Sequence, residues 1–117
     1  MQKKIIQTLY GINHPMLSND DNNIANAYKN KGEYKNAIYF FERSLAAAEE
    51  NIDQDPLDYA DSLYNIGLCY EKMEQFEKAL EYVEQSLTIL CSFLPAKNEY
   101  VVEEKATIER IKRALQG

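Results

Sequence analysis

A block of residues returns in this chain at a fixed step of 42 positions. Asn23, Ile24, Tyr28, Ala37, Glu42, Ser44 and Leu45 recur as Asn65, Ile66, Tyr70, Ala79, Glu84, Ser86 and Leu87. The remaining changes are mild: Ala25 becomes Gly67, Tyr34 becomes Phe76, Ile38 becomes Leu80 and Phe40 becomes Tyr82. A period of roughly 20–50 residues marks a supersecondary unit that buries its apolar face only by stacking on copies of itself. The repeat therefore restricts the chain to a stacked array.

Within each unit the apolar spacing is helical. Leu17, Ile24, Ala27 and Tyr28 mark one face of a helix over residues 16–31, and Ala37, Ile38, Phe41 and Leu45 mark a second over residues 34–50. Asn19–Asn23 is rich in Asn and Asp, indifferent helix formers, so the first helix depends on packing for its stability. Gly32 sits at the C′ position and is free to take positive φ. The cycle repeats as helices over 57–73 and 76–91, but Glu74 replaces the glycine, so the second tight turn is made without one. Asn51–Pro56 and Ser92–Asn98 are connectors. Lys3–Tyr10 carries Ile5, Ile6, Leu9 and Tyr10 at helical spacing, which predicts a short N-terminal helix over residues 3–11.

The last segment, residues 99–115, aligns with the first helix of a third unit. Ile108 keeps the apolar slot of Ile24 and Ile66. Glu109 stands in the small Ala25/Gly67 slot, and Lys112 stands where Tyr28 and Tyr70 stood. Polar residues at inner positions predict a solvating end cap. The expected organisation is one domain over 1–117: an N-terminal helix (3–11), repeat 1 (16–50), repeat 2 (57–91) and a capping helix (99–115).

At 117 residues the chain supports one continuous core. No apolar run approaches the roughly 18–20 residues that span a bilayer, and the N-terminus has no signal-peptide core, so a cytoplasmic, non-membrane protein is expected. Cys69 and Cys91 lack metal-ligand spacing and are expected to be buried free thiols, a disulfide between them being the lesser alternative. The net charge of −6 lies wholly in residues 51–117, which hold seven basic and thirteen acidic residues. Without a basic stripe, nucleic-acid binding is not expected. The acidic excess suits a basic partner or simply a solvated surface.

The pattern Ile24, Ala25, Tyr28, Gly32, Tyr34, Ala37 and Phe41, followed by Leu63, Ile66, Gly67, Tyr70, Phe76, Ala79 and Leu87, resembles the tetratricopeptide repeat. The usual repeat has 34 residues; eight more is about one extra turn on each helix. That length, with His14-Pro15 and Asn22-Asn23-Ile24-Ala25, is similar to the longer variant of kinesin light chains and many bacterial repeat proteins. The chain departs from the pattern at Asp21, where a large apolar residue is usual, and at Glu74. The resemblance implies an all-α fold, a right-handed superhelical stack of antiparallel helix hairpins closed by the C-terminal capping helix.

It also implies that the first helix of each unit lines a concave groove. The positions that would face it are Asn19, Asn22, Asn23, Asn26, Lys29 and Asn30 in unit one, and Asp61, Tyr64, Asn65, Leu68, Glu71 and Lys72 in unit two. Five asparagines on one helix face cost helix stability and add no packing, but their amides pair with any extended peptide backbone. In the family, asparagine at the place of Asn23 and Asn65 commonly does this. The candidate peptide site is thus Asn22, Asn23, Asn26, Lys29, Asn30, Tyr64, Asn65, Leu68 and Lys72, with Lys29 and Lys72 as charge readers. A merely solvated polar face is the competing reading. A subclass of the family grips a carboxylate tail with basic residues of the third unit; Glu103 and Thr107 stand there instead, which argues against that use.

Catalytic chemistry finds little to work with. His14 is the single histidine and precedes a proline, and no nucleophile set assembles around it. Asp53-Gln54-Asp55 with Asp58 lacks the glycine and distal glutamate of a calcium loop, and no glycine-rich phosphate loop occurs. Tyr28, Tyr34, Tyr70 and Phe76 fall in packing slots, whereas Tyr39, Tyr59 and Tyr100 are less constrained. The sequence thus describes a non-enzymatic, cofactor-free adaptor or scaffold that binds a protein or peptide. A self-associating assembly module, including a homodimer, or a regulatory piece of a larger repeat protein are the alternatives.

Overall fold

The computed structural model describes residues 15–50 and 56–117, with side chains from residue 21 onward. The helix expected over 3–11, His14, the side chains of Leu17 and Asn19, and the 51–55 connector lie outside the described residues. Among the described residues five helices follow one another: α1 (Pro15–Asn30), α2 (Tyr34–Glu49), α3 (Pro56–Lys72), α4 (Phe76–Phe93) and α5 (Glu99–Gln116). Each packs on the next, giving two antiparallel hairpins and a closing helix in one all-α stack.

Local chemistry sets the boundaries. Pro15 and Pro56 open α1 and α3, where a missing N–H costs nothing and the fixed φ suits the first turn. Both hairpin turns have the same hydrogen bonds 42 residues apart. Gly32 N–H donates to Lys29 O and Glu33 N–H to Tyr28 O; Glu74 N–H donates to Glu71 O and Gln75 N–H to Tyr70 O. This paired closure needs a left-handed residue at C′. Gly32 takes φ 83° and Glu74 takes φ 63°. Neither α2 nor α4 has a side-chain cap; Glu33 and Gln75 end one motif and begin the next helix directly. Leu94 is extended, as a residue before proline tends to be, and Asn98 Oδ1 caps α5 by accepting from Tyr100 N–H at 2.8 Å.

The core is continuous along the stack. Ala25, Ala37, Ile38 and Phe41 of the first hairpin meet Ile66 and Cys69 of α3, with Tyr28, Tyr34 and Tyr70 packed around them. Ala79 and Val83 of α4 meet Ile108 and Ile111 of α5. The repeat is visible in side-chain geometry: Tyr28 stacks on Phe40 at 5.5 Å and Tyr70 on Tyr82 at 5.6 Å. Gly67 makes the closest approach, since a Cβ there would sit 2.6 Å from Val83 Cγ2.

Asp21, the polar departure in α1, is buried and pairs with Arg43 Nε of α2 at 3.5 Å. Burial of a carboxylate is tolerable when a cation meets it. Glu109 and Lys112 are exposed on α5. One expectation is corrected: Cys69 is a buried free thiol, but Cys91 is free and exposed. Cys91 follows the inward-facing Leu90 by one residue, and a helix turns that neighbour away from the core.

Candidate functional site

The inner face is built from α1, α3 and α5. These helices are tied by side chains across the stack. Lys29 Nζ donates to Asn65 Oδ1 at 3.4 Å, and Asn65 Nδ2 donates to Asp61 Oδ2 at 3.3 Å. Tyr64 Oη donates to Glu103 Oε2 at 3.1 Å and lies 2.9 Å from Thr107 Oγ1. Arg110 forks onto Glu71, Nε to Oε2 at 2.6 Å and Nη2 to Oε1 at 2.9 Å. Two-point contacts between guanidinium and carboxylate fix orientation as well as distance.

Between these ties runs an open groove of about 550 Å³. Lys29, Asn30, Tyr64, Leu68 and Lys72, five of the sequence-derived candidates, line it. So do Tyr34, Glu71, Glu103, Ala106, Thr107 and Arg110. The other four candidates are placed differently. Asn26 Nδ2 turns back onto the carbonyl of Asn22 at 3.0 Å, Asn23 is exposed, and Asn65 is engaged with Lys29 and Asp61. Asn22 Oδ1 is buried without a hydrogen bond from a described residue.

The α5 contribution carried a signal in the sequence. Glu103, Ala106, Thr107 and Arg110 lie one 42-residue step beyond Asp61, Tyr64, Asn65 and Leu68, all read as groove positions. In the sequence Glu103 and Thr107 stand at groove sites of the third unit, but there they serve only to argue against a carboxylate clamp, and Ala106 and Arg110 go unnamed. A capping helix still presents one side to the groove.

The electrostatics keep the groove polar and its phenol neutral. Burial pushes the Tyr64 hydroxyl up to about 12, opposed by its Thr107 hydrogen bond and assisted by Glu103. It therefore stays a hydrogen-bond donor at ordinary pH. Asp61 is raised, first by burial and then by Asp58, with Lys29 and Asn65 pulling the other way. Arg110 is raised by its contact with Glu71. Burial pushes the Cys69 thiol up to about 11, which leaves it protonated and poorly nucleophilic. No described helix is long and apolar enough to cross a membrane.

Comparison with known proteins agrees with this architecture. Over 64 residues, 55% of its length, the chain is 33% identical to response regulator aspartate phosphatase E of Bacillus subtilis (strain 168), of which it spans 17%. A crystal structure of repeats assigned to a kinesin light chain of Podosopora anserina, described as nearly identical TPR-like repeats, superposes with a TM-score of 0.82. That match covers 97% of this chain and 54% of the other at 18% identity, and so speaks to the fold. The tetratricopeptide repeat family matches residues 16–92, which is most of the chain. The chain belongs to the tetratricopeptide repeat family.

Proposed function

We propose that this chain is a non-catalytic binding module that receives an extended protein segment along its inner groove. The observation that carries this reading is the convergence of α1, α3 and α5 on one open groove with both walls braced. Lys29–Asn65, Tyr64–Glu103 and Arg110–Glu71 hold the three helices in register, so little ordering is left for a ligand to impose. Exposed Asn30 and Lys72 at its edge offer donors, and half-buried Leu68 offers apolar contact. Asn23 and Asn65 act as backbone clamps in this reading, Asn65 exchanging its Lys29 bond for the peptide. The family's general role as a protein-interaction module supports the proposal, and mixed charge in the groove favours a peptide of mixed composition.

The likeness to a response regulator aspartate phosphatase favours a regulatory setting for that binding. In that setting the chain serves as an adaptor within a larger cytoplasmic repeat protein.

The test is selection from a displayed peptide library, followed by titration of selected peptides into wild type, Asn30→Ala/Lys72→Glu and Asn23→Ala/Asn65→Ala. The groove reading expects a loss of about tenfold or more in at least the first variant, the scale of removing charged interface contacts. Equal affinity across all three would move the site to the outer face. A concentration-dependent dimer by light scattering, unaffected by these substitutions, would favour assembly instead.

A further inference from the structure

A second cavity, of about 350 Å³, shares no lining residue with the groove. It lies toward the N-terminal ends of α3 and α5, where the last turn of α4 closes it. Its walls are of two kinds. Leu57, Leu90, Leu94 and the ring of Tyr100 supply apolar surface, while Asp58, Asp61 and Glu104 supply carboxyl groups.

Glu104 is the unusual member. It is only 4% exposed, and its Oε2 accepts from Ser86 Oγ at 3.1 Å. Its Oε1 is buried and takes no hydrogen bond from any described residue. A buried carboxylate oxygen without a donor is costly and calls for one. Burial pushes this carboxyl up to about 7, with the Ser86 hydrogen bond opposing and Asp61 and Glu103 adding to the rise. Asp61 on the neighbouring helix, exposed as a residue but with its carboxyl partly shielded from solvent, is raised as well. Both carboxyls would gain from a cation.

The form of that cation follows from the walls. Among the described residues no three His, Cys, Asp or Glu side chains are grouped to hold a metal ion. A cavity lined by both apolar side chains and carboxyl groups fits a ligand that is hydrocarbon along its stem and charged at its tip. Tyr100, an exposed aromatic at this cavity, adds a face on which a guanidinium can lie. The seven-against-thirteen charge excess of this half of the chain favours the same sign of partner.

We propose that this cavity receives one arginine or lysine side chain from an extended partner segment, with Glu104 Oε1 and the Asp61 carboxylate as its acceptors. Arginine is preferred, because a planar fork serves two acceptors on different helices at once. The proposal goes beyond the groove and stands whether or not the groove takes a peptide.

The test uses the full 117-residue chain, isotope-labelled for NMR, and two capped pentapeptides, Gly-Gly-Arg-Gly-Gly and the same sequence with neutral citrulline for arginine. The arginine peptide should shift signals confined to residues 57–61, 90–94 and 100–104, and should lower the Glu104 carboxyl pKa on saturation. Glu104→Gln, which keeps the Ser86 contact but removes the charge, should weaken binding about tenfold or more. Should that variant fail to fold, Asp61→Asn, at an exposed position, should weaken it several-fold. Lys72→Glu in the groove should leave this binding unchanged. Equal shifts from the citrulline peptide, no confined shift up to about 10 mM peptide, or equal shifts from calcium chloride alone would each overturn the proposal.

Discussion

Glu74→Gly should make this protein more stable, although it removes a side chain and adds none. Glu74 holds φ 63° at the C′ position of α3, where the first hairpin uses Gly32 at φ 83°. A residue with a Cβ pays about 1–2 kcal/mol for that backbone region. Glycine removes that strain but loses more freedom on folding, by about 0.5–1 kcal/mol. The net gain is about 0.5–1 kcal/mol, or a Tm rise of about 3–6 °C for a domain near this size. Urea unfolding followed by far-UV circular dichroism measures it, with an unchanged m-value required for the comparison. Two companions isolate the backbone. Glu74→Ala keeps the left-handed demand and should change stability little. Gly32→Ala places its Cβ within 4 Å of nothing, so its loss of about 1 kcal/mol is conformational alone. If Glu74→Gly is no more stable than Glu74→Ala, or Gly32→Ala is neutral, the reasoning from φ is refuted.

Two other perturbations probe the buried interior. Gly67→Ala gains about 1 kcal/mol of helix propensity, but its Cβ meets fully buried Val83 Cγ2 at 2.6 Å and Ala79 O at 3.2 Å. Overpacking costs about 1–3 kcal/mol, so a net loss of about 1 kcal/mol is expected, and adding Val83→Ala should show positive coupling in a double-mutant cycle. Additive effects would disprove the clash. Glu104 holds its proton in the folded state up to about 7 against 4.5 for an ordinary glutamate. Its contribution to stability is therefore complete below about pH 4.5 and lost as pH rises through 7, by roughly 3 kcal/mol at most. Wild-type stability minus that of Glu104→Gln should fall across this window in urea unfolding; a flat difference would contradict the raised pKa.

The fold was legible because its determinants are local and occur twice. A single step of 42 residues predicted the two helix hairpins and their turns, and the structure adds that the repeated aromatics stack, Tyr28 on Phe40 and Tyr70 on Tyr82. The absence of glycine at Glu74 was visible too, although only the structure shows that the turn keeps its geometry at the expense of strain. Cys91 was misread because an apolar-looking residue near the end of α4 gives no sign of which face it occupies once the pattern loosens. The groove was half legible. The face of α1 stood out by its asparagines, yet Asn26 satisfies its own helix, and the wall opposite comes from α5.

The cavity beside Glu104 shows why repetition alone does not locate a site. One step back from Glu104 stands Ser62, a small residue that is 2% exposed. One step back from Glu109 stands Gly67, equally enclosed. In the sequence the two substitutions look alike, each placing a glutamate in a small, buried slot of the repeat. In the fold they part, because among the described residues α5 packs along one side and leaves the other exposed. Glu109 is exposed, so no described residue encloses its charge. Glu104 turns back toward α4, where Ser86 meets one oxygen and no described residue meets the other. A departure from the repeat relieves itself when it faces solvent and demands a partner when it faces the stack. Burial, which depends on what lies beyond each helix, decides between those outcomes. On that ground Glu104, a carboxyl enclosed on the stack side with one oxygen unmet by any described residue, is a position that a ligand would complete.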